Sequence, residues 1–150
     1  MSREPIKAAL QYGEELPAFL SVSEAEKTLL QLRDSTLQAF LDEHSLSLGL
    51  DFSPESLKSL EKWYFEAGCP KVGVGNYSIP HAIGFYFGET LCRSAGFSWI
   101  VQEFPFIKGR FEVGVNRRLG TIMLTKGKTP PVEGNKRMQS LWREFKKYAP

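Results

Sequence analysis

Apolar residues recur at helical spacing in four stretches of the chain and at strand spacing in three. From Ser23 to about Glu43, Ala25, Leu29, Leu32 and Phe40 share one helical face, widened by Leu30, Leu37 and Leu41. Ser23 and Glu26 fit a capping box at its start, each side chain positioned to satisfy a free backbone N–H. His44 falls at its expected end, where a protonated imidazole suits the helix dipole. Ser53-Pro54-Glu55 predicts a second helix start: a cap, a proline where no N–H is needed, and a first-turn acid. This helix runs to about Ala67 and stops at Gly68, with Leu57, Leu60, Tyr64 and Ala67 inward and Trp63 and Phe65 at the flanks.

The best-marked helix lies between Ser78, a cap residue, and Gly96, which can adopt the left-handed conformation that ends a helix. Pro80 fits just inside its start. Ile79, Ile83, Tyr86, Phe87 and Leu91 make a large apolar face; His81, Gly84, Gly88, Cys92 and Ala95 make a small-residue face. Ala82, Glu89 and Arg93 form a narrow third strip. A helix apolar on two faces is buried rather than laid on a surface. Gly84 and Gly88 each weaken a helix by roughly 1 kcal/mol relative to alanine, so another backbone is expected to approach along the small face. Glu89 and Arg93 stand four residues apart, acid first, the favourable order for an ion pair.

After Gly96 the period changes. Residues 98–104, 111–115 and 121–125 are short β-branched or aromatic runs separated by Pro105, Gly109, Asn116 and Gly120. Such short connections predict an antiparallel meander with one face packed, here against the central helix. A last helix is expected from about Asn135 to Tyr148. Met138, Leu141, Trp142 and Phe145 would form its apolar side, and Lys136, Arg137, Arg143, Lys146 and Lys147 its basic side. Residues 1–22 read as an arm broken by Pro5, Gly13 and Pro17. Ile6 to Tyr12 make a helical turn or two, and Phe19, Leu20 and Val22 dock on the body. The fold class is α+β: N-terminal helices, a buried central helix, a three-stranded antiparallel meander and a C-terminal basic amphipathic helix.

Composition narrows the function classes. The 150 residues suit one domain. Eleven Phe, five Tyr and three Trp predict an aromatic core. The first residues contain no long apolar run, so neither a secretory signal nor a membrane span is expected. Cys69 and Cys92 are isolated thiols, which fits a reducing, cytoplasmic location. Two Cys and two His without paired spacing do not make a metal site, and no cofactor motif stands out. Gly73-Val74-Gly75 lacks the third glycine of a dinucleotide loop and the Gly-Lys-Ser/Thr of a P-loop. The net charge of +2 conceals an asymmetry: residues 1–106 hold 8 Lys/Arg against 14 Asp/Glu, residues 107–150 hold 11 against 3. The basic third either packs beside the acidic part of the same domain or faces an acidic partner or nucleic acid.

Gly84-Phe85-Tyr86-Phe87-Gly88-Glu89-Thr90-Leu91 forms a G-x-Y-x-G-E-x-L helix. Gly96 and Trp99 come next, opening the sheet, and Ser53-Pro54-Glu55-Ser56-Leu57 leads in. This arrangement, over roughly residues 53–125, resembles small bacterial domains of unknown function, some of them immunity or toxin-associated proteins. The resemblance implies an α+β domain and carries over no catalytic residue; the arm and the basic tail lie outside it.

The first functional expectation is a non-enzymatic module that binds a protein partner, of the immunity type. Its candidate surface residues are Trp63, Arg117, Arg118 and Trp142, because aromatics and arginines dominate interface energetics. The plainer reading of each is core packing for the Trp residues and solvated charge for the Arg residues. The alternatives are a nucleic-acid-associated protein using residues 108–147, or a small enzyme beside the central helix. The best enzyme assembly is His81, Glu89 and Arg93, although His81 lies on a different helical face from Glu89.

Overall fold

Ser78 caps α4 (Ile79–Ala95) by accepting a hydrogen bond from the His81 backbone N–H, Pro80 sits in its first turn, and Gly96 ends it at φ 72°. The helix is buried around most of its circumference, and Ile83, Phe85, Tyr86 and Leu91 are wholly inaccessible to solvent. The other elements are α1 (Glu4–Glu14), α2 (Val22–Leu48), α3 (Ser56–Glu66), β1 (Ser98–Glu103), β2 (Phe111–Arg117), β3 (Gly120–Met123) and α5 (Ser140–Tyr148). Of these, α2, α5, β1 and β2 pack on α4, and α3 meets it where the Ser56 and Tyr86 hydroxyls bond. The computed structural model describes residues 4–118, 120–134 and 138–149.

The strands form an antiparallel meander in the order β1-β2-β3. Trp99 pairs with Val115, Val101 with Val113, and Val115 with Ile122, so these residues share one face. That face packs on the central helix α4, as expected, and on α2 as well. The small face of α4 meets the segment after β3. A methyl group on Gly84 would stand 3.7 Å from the Gly127 Cα, an ordinary contact distance, so the neighbouring backbone does not come close enough to require a glycine there. At Gly88 the neighbours are side chains: a methyl would fall 2.6 Å from Leu124 and 2.8 Å from Trp99. Gly127, at φ 63°, itself backs onto the first turn of α4, 2.9 Å from the His81 nitrogen by the same measure.

The arm is better anchored than its breaks imply. Leu16 is buried, and Phe111 N–H donates to the Pro17 carbonyl, extending the sheet toward the arm. Tyr12 hydroxyl donates to buried Glu112 on the outer face of β2 at 2.6 Å. Phe19 packs edge-on against Phe111. Leu20 and Val22, expected to dock, are exposed at 98% and 52%.

Element ends differ in three places. The cap of α2 is Ser21, not Ser23: its hydroxyl accepts from Glu24 N–H, and Glu24 reaches back to Leu20 N–H. Two S-x-x-E frames overlap here, Ser21–Glu24 and Ser23–Glu26, and the arm's attachment at Phe19 N–H to Gly109 O lets the earlier one nucleate. The helix continues past His44 to Leu48 and stops at Gly49, φ 64°. Leu32, expected inside, is 48% exposed; Thr36 takes its place in the buried row. The expected start of the last helix at Asn135, with Lys136 and Arg137, lies outside the described residues. The helix itself begins at Ser140, so Met138, expected on its apolar side, precedes it and is 78% exposed.

Candidate functional site

Because α5 starts late, a groove opens between α3 and the residues before α5. Its volume is about 950 Å3. Tyr64 and Phe65 from α3 face Pro131, Val132 and Met138, and Lys58, Lys62 and Lys71 stand among the lining residues. Leu57, Leu60 and Tyr64 hold α3 in the core, which leaves its next face to the groove.

Glu61 lies beneath the groove, only 3% exposed. One carboxylate oxygen accepts from Ser140 Oγ and Leu141 N–H, both at 2.7 Å, and the other from Ser140 N–H at 2.9 Å. Glu61 is thus the N-terminal cap of α5, supplied from another helix. A carboxylate suits that position twice over: it satisfies orphan donors and opposes the positive end of the dipole. Gln139, the residue in the cap position of the chain itself, is in the left-handed region at φ 60° and makes no side-chain cap bond. The Tyr64 hydroxyl has its pKa raised, by burial first and then by its neighbour Cys69. Cys69 is an exposed thiol on the groove wall.

The residues expected at a partner surface fall on different elements. Trp142 is half-buried at the edge of the groove's lysines, with Lys58 Nζ 4.3 Å from its ring centroid and Lys146 Nζ at 5.9 Å. Trp63 turns toward α2, its ring 4.3 Å from that of His44 and 5.9 Å from that of Phe40. Arg117 is bound within the protein: it donates to the carbonyl of Ala95 and, at 2.7 Å, to that of Tyr148, tying the ends of α4 and α5. Arg118 is exposed at φ 51°, beyond the end of β2. Other cations of the last third are engaged similarly. Arg110 donates to the Leu16 carbonyl, Lys126 pairs with Glu15 and Lys147 with Glu144.

Glu89 and Arg93 form the expected pair at 2.7 Å. The other Glu89 oxygen accepts from the Trp99 indole N–H at 2.9 Å, which fastens the end of the G-x-Y-x-G-E-x-L helix to β1. His81 stands elsewhere: its Nδ1 lies 2.7 Å from the Ser78 hydroxyl, and burial lowers its pKa against a hydrogen bond with the Thr125 backbone. His81, Glu89 and Arg93 therefore do not converge. Cys92, beside Glu89, has its thiol pushed up to about 11, by burial first.

The Gly73–Gly75 loop is organised around Glu43 of α2. One oxygen of this carboxylate accepts from Val74 N–H at 3.1 Å and from Tyr77 hydroxyl at 2.7 Å. The Tyr77 bond is the main cause of Glu43's lowered pKa. His44 Nε2 lies 3.3 Å from the second Glu43 oxygen but outside hydrogen-bond alignment.

The groove and the Glu61 cap were missed from sequence. Glu61 reads there as one more polar residue of an amphipathic helix. The only trace of the groove is Phe65 off the inner stripe together with Pro130-Pro131 and Met138.

A family model described as Uncharacterised protein YwmA matches residues 18–149. The chain belongs to this family. The match takes in the basic tail, which the G-x-Y-x-G-E-x-L resemblance left outside. Neither the curated proteins nor the solved structures contain a match. No described helix is long and apolar enough to cross a membrane.

Proposed function

We propose that this YwmA-family protein is a non-enzymatic module that binds a protein partner through the groove between α3 and the residues before α5, in the manner of an immunity protein. The groove carries the reading. Its walls are largely apolar, its buried carboxylate is already consumed by the α5 cap, and lysines stand among its lining. Such a surface suits an apolar side chain or helix face flanked by acidic residues, since aromatic and apolar anchors supply affinity and charges at the rim steer encounter. The nucleic-acid alternative loses Arg110, Arg117 and Lys126 to internal bonds, which leaves fewer free cations for phosphate.

The test is affinity capture from the native host with the full chain and with Met138→Glu and Lys62→Glu variants, at low and moderate salt. Wild type is expected to retain one stoichiometric protein at moderate salt, and Met138→Glu to lose it. Capture indifferent to both substitutions, or recovery of nucleic acid alone that disappears at moderate salt, would sink the proposal. Suppression of the partner's activity on adding the wild-type chain is the further outcome expected of an immunity protein.

A further inference from the structure

A second, smaller pocket of about 310 Å3 lies where α2 and the residue run before α3 meet α4. It falls at the lower end of the range of roughly 300–1,000 Å3 for small-molecule sites. Arg33, Asp34, Leu37, Phe52, Glu89 and Arg93 contribute to its lining.

Both arginines are held in place by an aromatic ring and a carboxylate. Arg93 lies over Phe52, 3.9 Å from the ring centroid, and its Nε donates to Glu89 at 2.7 Å. Arg33 lies over Trp99 at 4.9 Å, and its Nε and one terminal nitrogen share a single Asp34 oxygen at 2.9 and 2.7 Å. The supports are themselves fixed. Phe52 stacks on Tyr86 with centroids 4.7 Å apart, and its N–H donates to the buried Tyr86 hydroxyl at 2.8 Å. Its φ of 62° is rare for a bulky side chain and persists only where the surroundings over-determine it. Trp99 is fixed by its indole bond to Glu89. One terminal nitrogen of Arg33 and both of Arg93 remain without a partner among the described residues. Two guanidinium groups, pre-positioned and with N–H groups to spare, suit recognition of an oxyanion, because the planar fork matches carboxylate and phosphate geometry. The apolar wall offers a place for the rest of a ligand.

We propose that this pocket binds a small molecule bearing a carboxylate or phosphate group, held by the free N–H groups of Arg33 and Arg93, with its apolar part against Leu37 and Leu41 of the lining. The proposal is independent of the groove and of the partner reading.

The experiment is an NMR titration of the full chain with sodium phosphate and, separately, sodium acetate, each at ionic strength held constant with sodium chloride. The Trp99 indole N–H and the Arg33 and Arg93 Nε–H signals are monitored. Saturating shifts with phosphate alone mark a phosphate-bearing ligand, with acetate alone a carboxylate-bearing one, and with both an oxyanion site of either kind. Loss of one charge-assisted hydrogen bond weakens binding by about tenfold or more. Arg33→Gln and Arg93→Gln are therefore each expected to raise the apparent Kd by at least that factor, while Lys62→Gln, at the other groove, leaves it unchanged. Where a glutamine variant does not fold, Arg33→Lys and Arg93→Lys keep the charge, lose the fork and give the same readout. Shifts that stay linear in both salts, or that survive in the arginine variants, overturn the proposal.

Discussion

At the scale of single residues, Glu61 does the most with the least warning. It is a carboxylate almost without solvent, and it is kept there by the three donors at the start of α5. Charge burial is tolerated when every lone pair in reach is met by a donor, and is costly otherwise. The pair works in both directions, since α5 has no side-chain cap of its own. Glu61→Ala is expected to lower stability by about 3 kcal/mol, the cost of stranding buried N–H groups and opening space. Glu61→Gln, which keeps shape but turns an NH2 toward donors, is expected to cost about 2 kcal/mol. Urea unfolding monitored by circular dichroism measures both. Midpoints equal to wild type would mean that α5 is capped in some other way. Arg117 works at the opposite end of the same helix, tying its last carbonyls to those of α4. A residue that reads in sequence as surface charge is here a clasp between two helix C-termini, where a cation also meets the negative end of the dipoles.

At the scale of elements, α4 carries two glycines in its interior, and its packing accounts for only one of them among its described neighbours. The pair is not equivalent. Gly84 has room for a methyl, at ordinary contact distance from Gly127 and Leu124. Gly88 has none, because Leu124 and Trp99 occupy the space. Gly84→Ala is therefore expected to be neutral or to stabilise by up to about 1 kcal/mol through helix propensity. Gly88→Ala is expected to destabilise by about 1–3 kcal/mol, as Trp99 is forced off its rotamer. Thermal melts of the two variants side by side test this. Equal shifts would contradict the packing described. Displacing Trp99 would also loosen its indole bond to Glu89, so the Gly88 variant should perturb the Arg33 and Arg93 pocket as well. The G-x-Y-x-G-E-x-L pattern is thus a packing code. Its second glycine admits Trp99, its tyrosine fixes Phe52 and Ser56 through one hydroxyl, and its glutamate receives the indole.

At the scale of the whole molecule, titration links the layers. Burial holds the His81 pKa below the ordinary 6.5, so between that value and its folded one the unfolded chain binds a proton that the native chain refuses. Stability present above pH 6.5 is lost as pH falls through this window. Glu43 and Asp51 are shifted down from 4.5 and 3.8 by hydrogen bonds to their charged forms, so their contribution is present above those values and lost further into acid. Urea midpoints measured from pH 8 to 3 should fall in two stages, and His81→Asn should flatten the first while leaving the second. A single acid stage in wild type would place the His81 environment in error. Charge is also distributed across the fold: Lys126 of the basic third pairs with Glu15 of the acidic N-terminal region, so part of the asymmetry is answered internally.

Much of this architecture is legible in the chain. The limits of α4 are written in Ser78, Pro80 and Gly96, and the meander in three short runs with turn residues between them. These are local matters, set by backbone conformations and by partners a few residues away. What local chemistry leaves open, the tertiary structure decided. Ser21 rather than Ser23 caps α2 because the arm is bound to Gly109; α5 begins at Ser140 because Glu61, seventy-nine residues earlier, is waiting for it. The groove exists because that cap lies where it does, and the smaller pocket because Phe52 and Trp99 bring arginines from two helices to one place. Both candidate sites are made of contacts between distant parts of the chain, and hydrophobic periodicity carries no record of which exposed faces will meet.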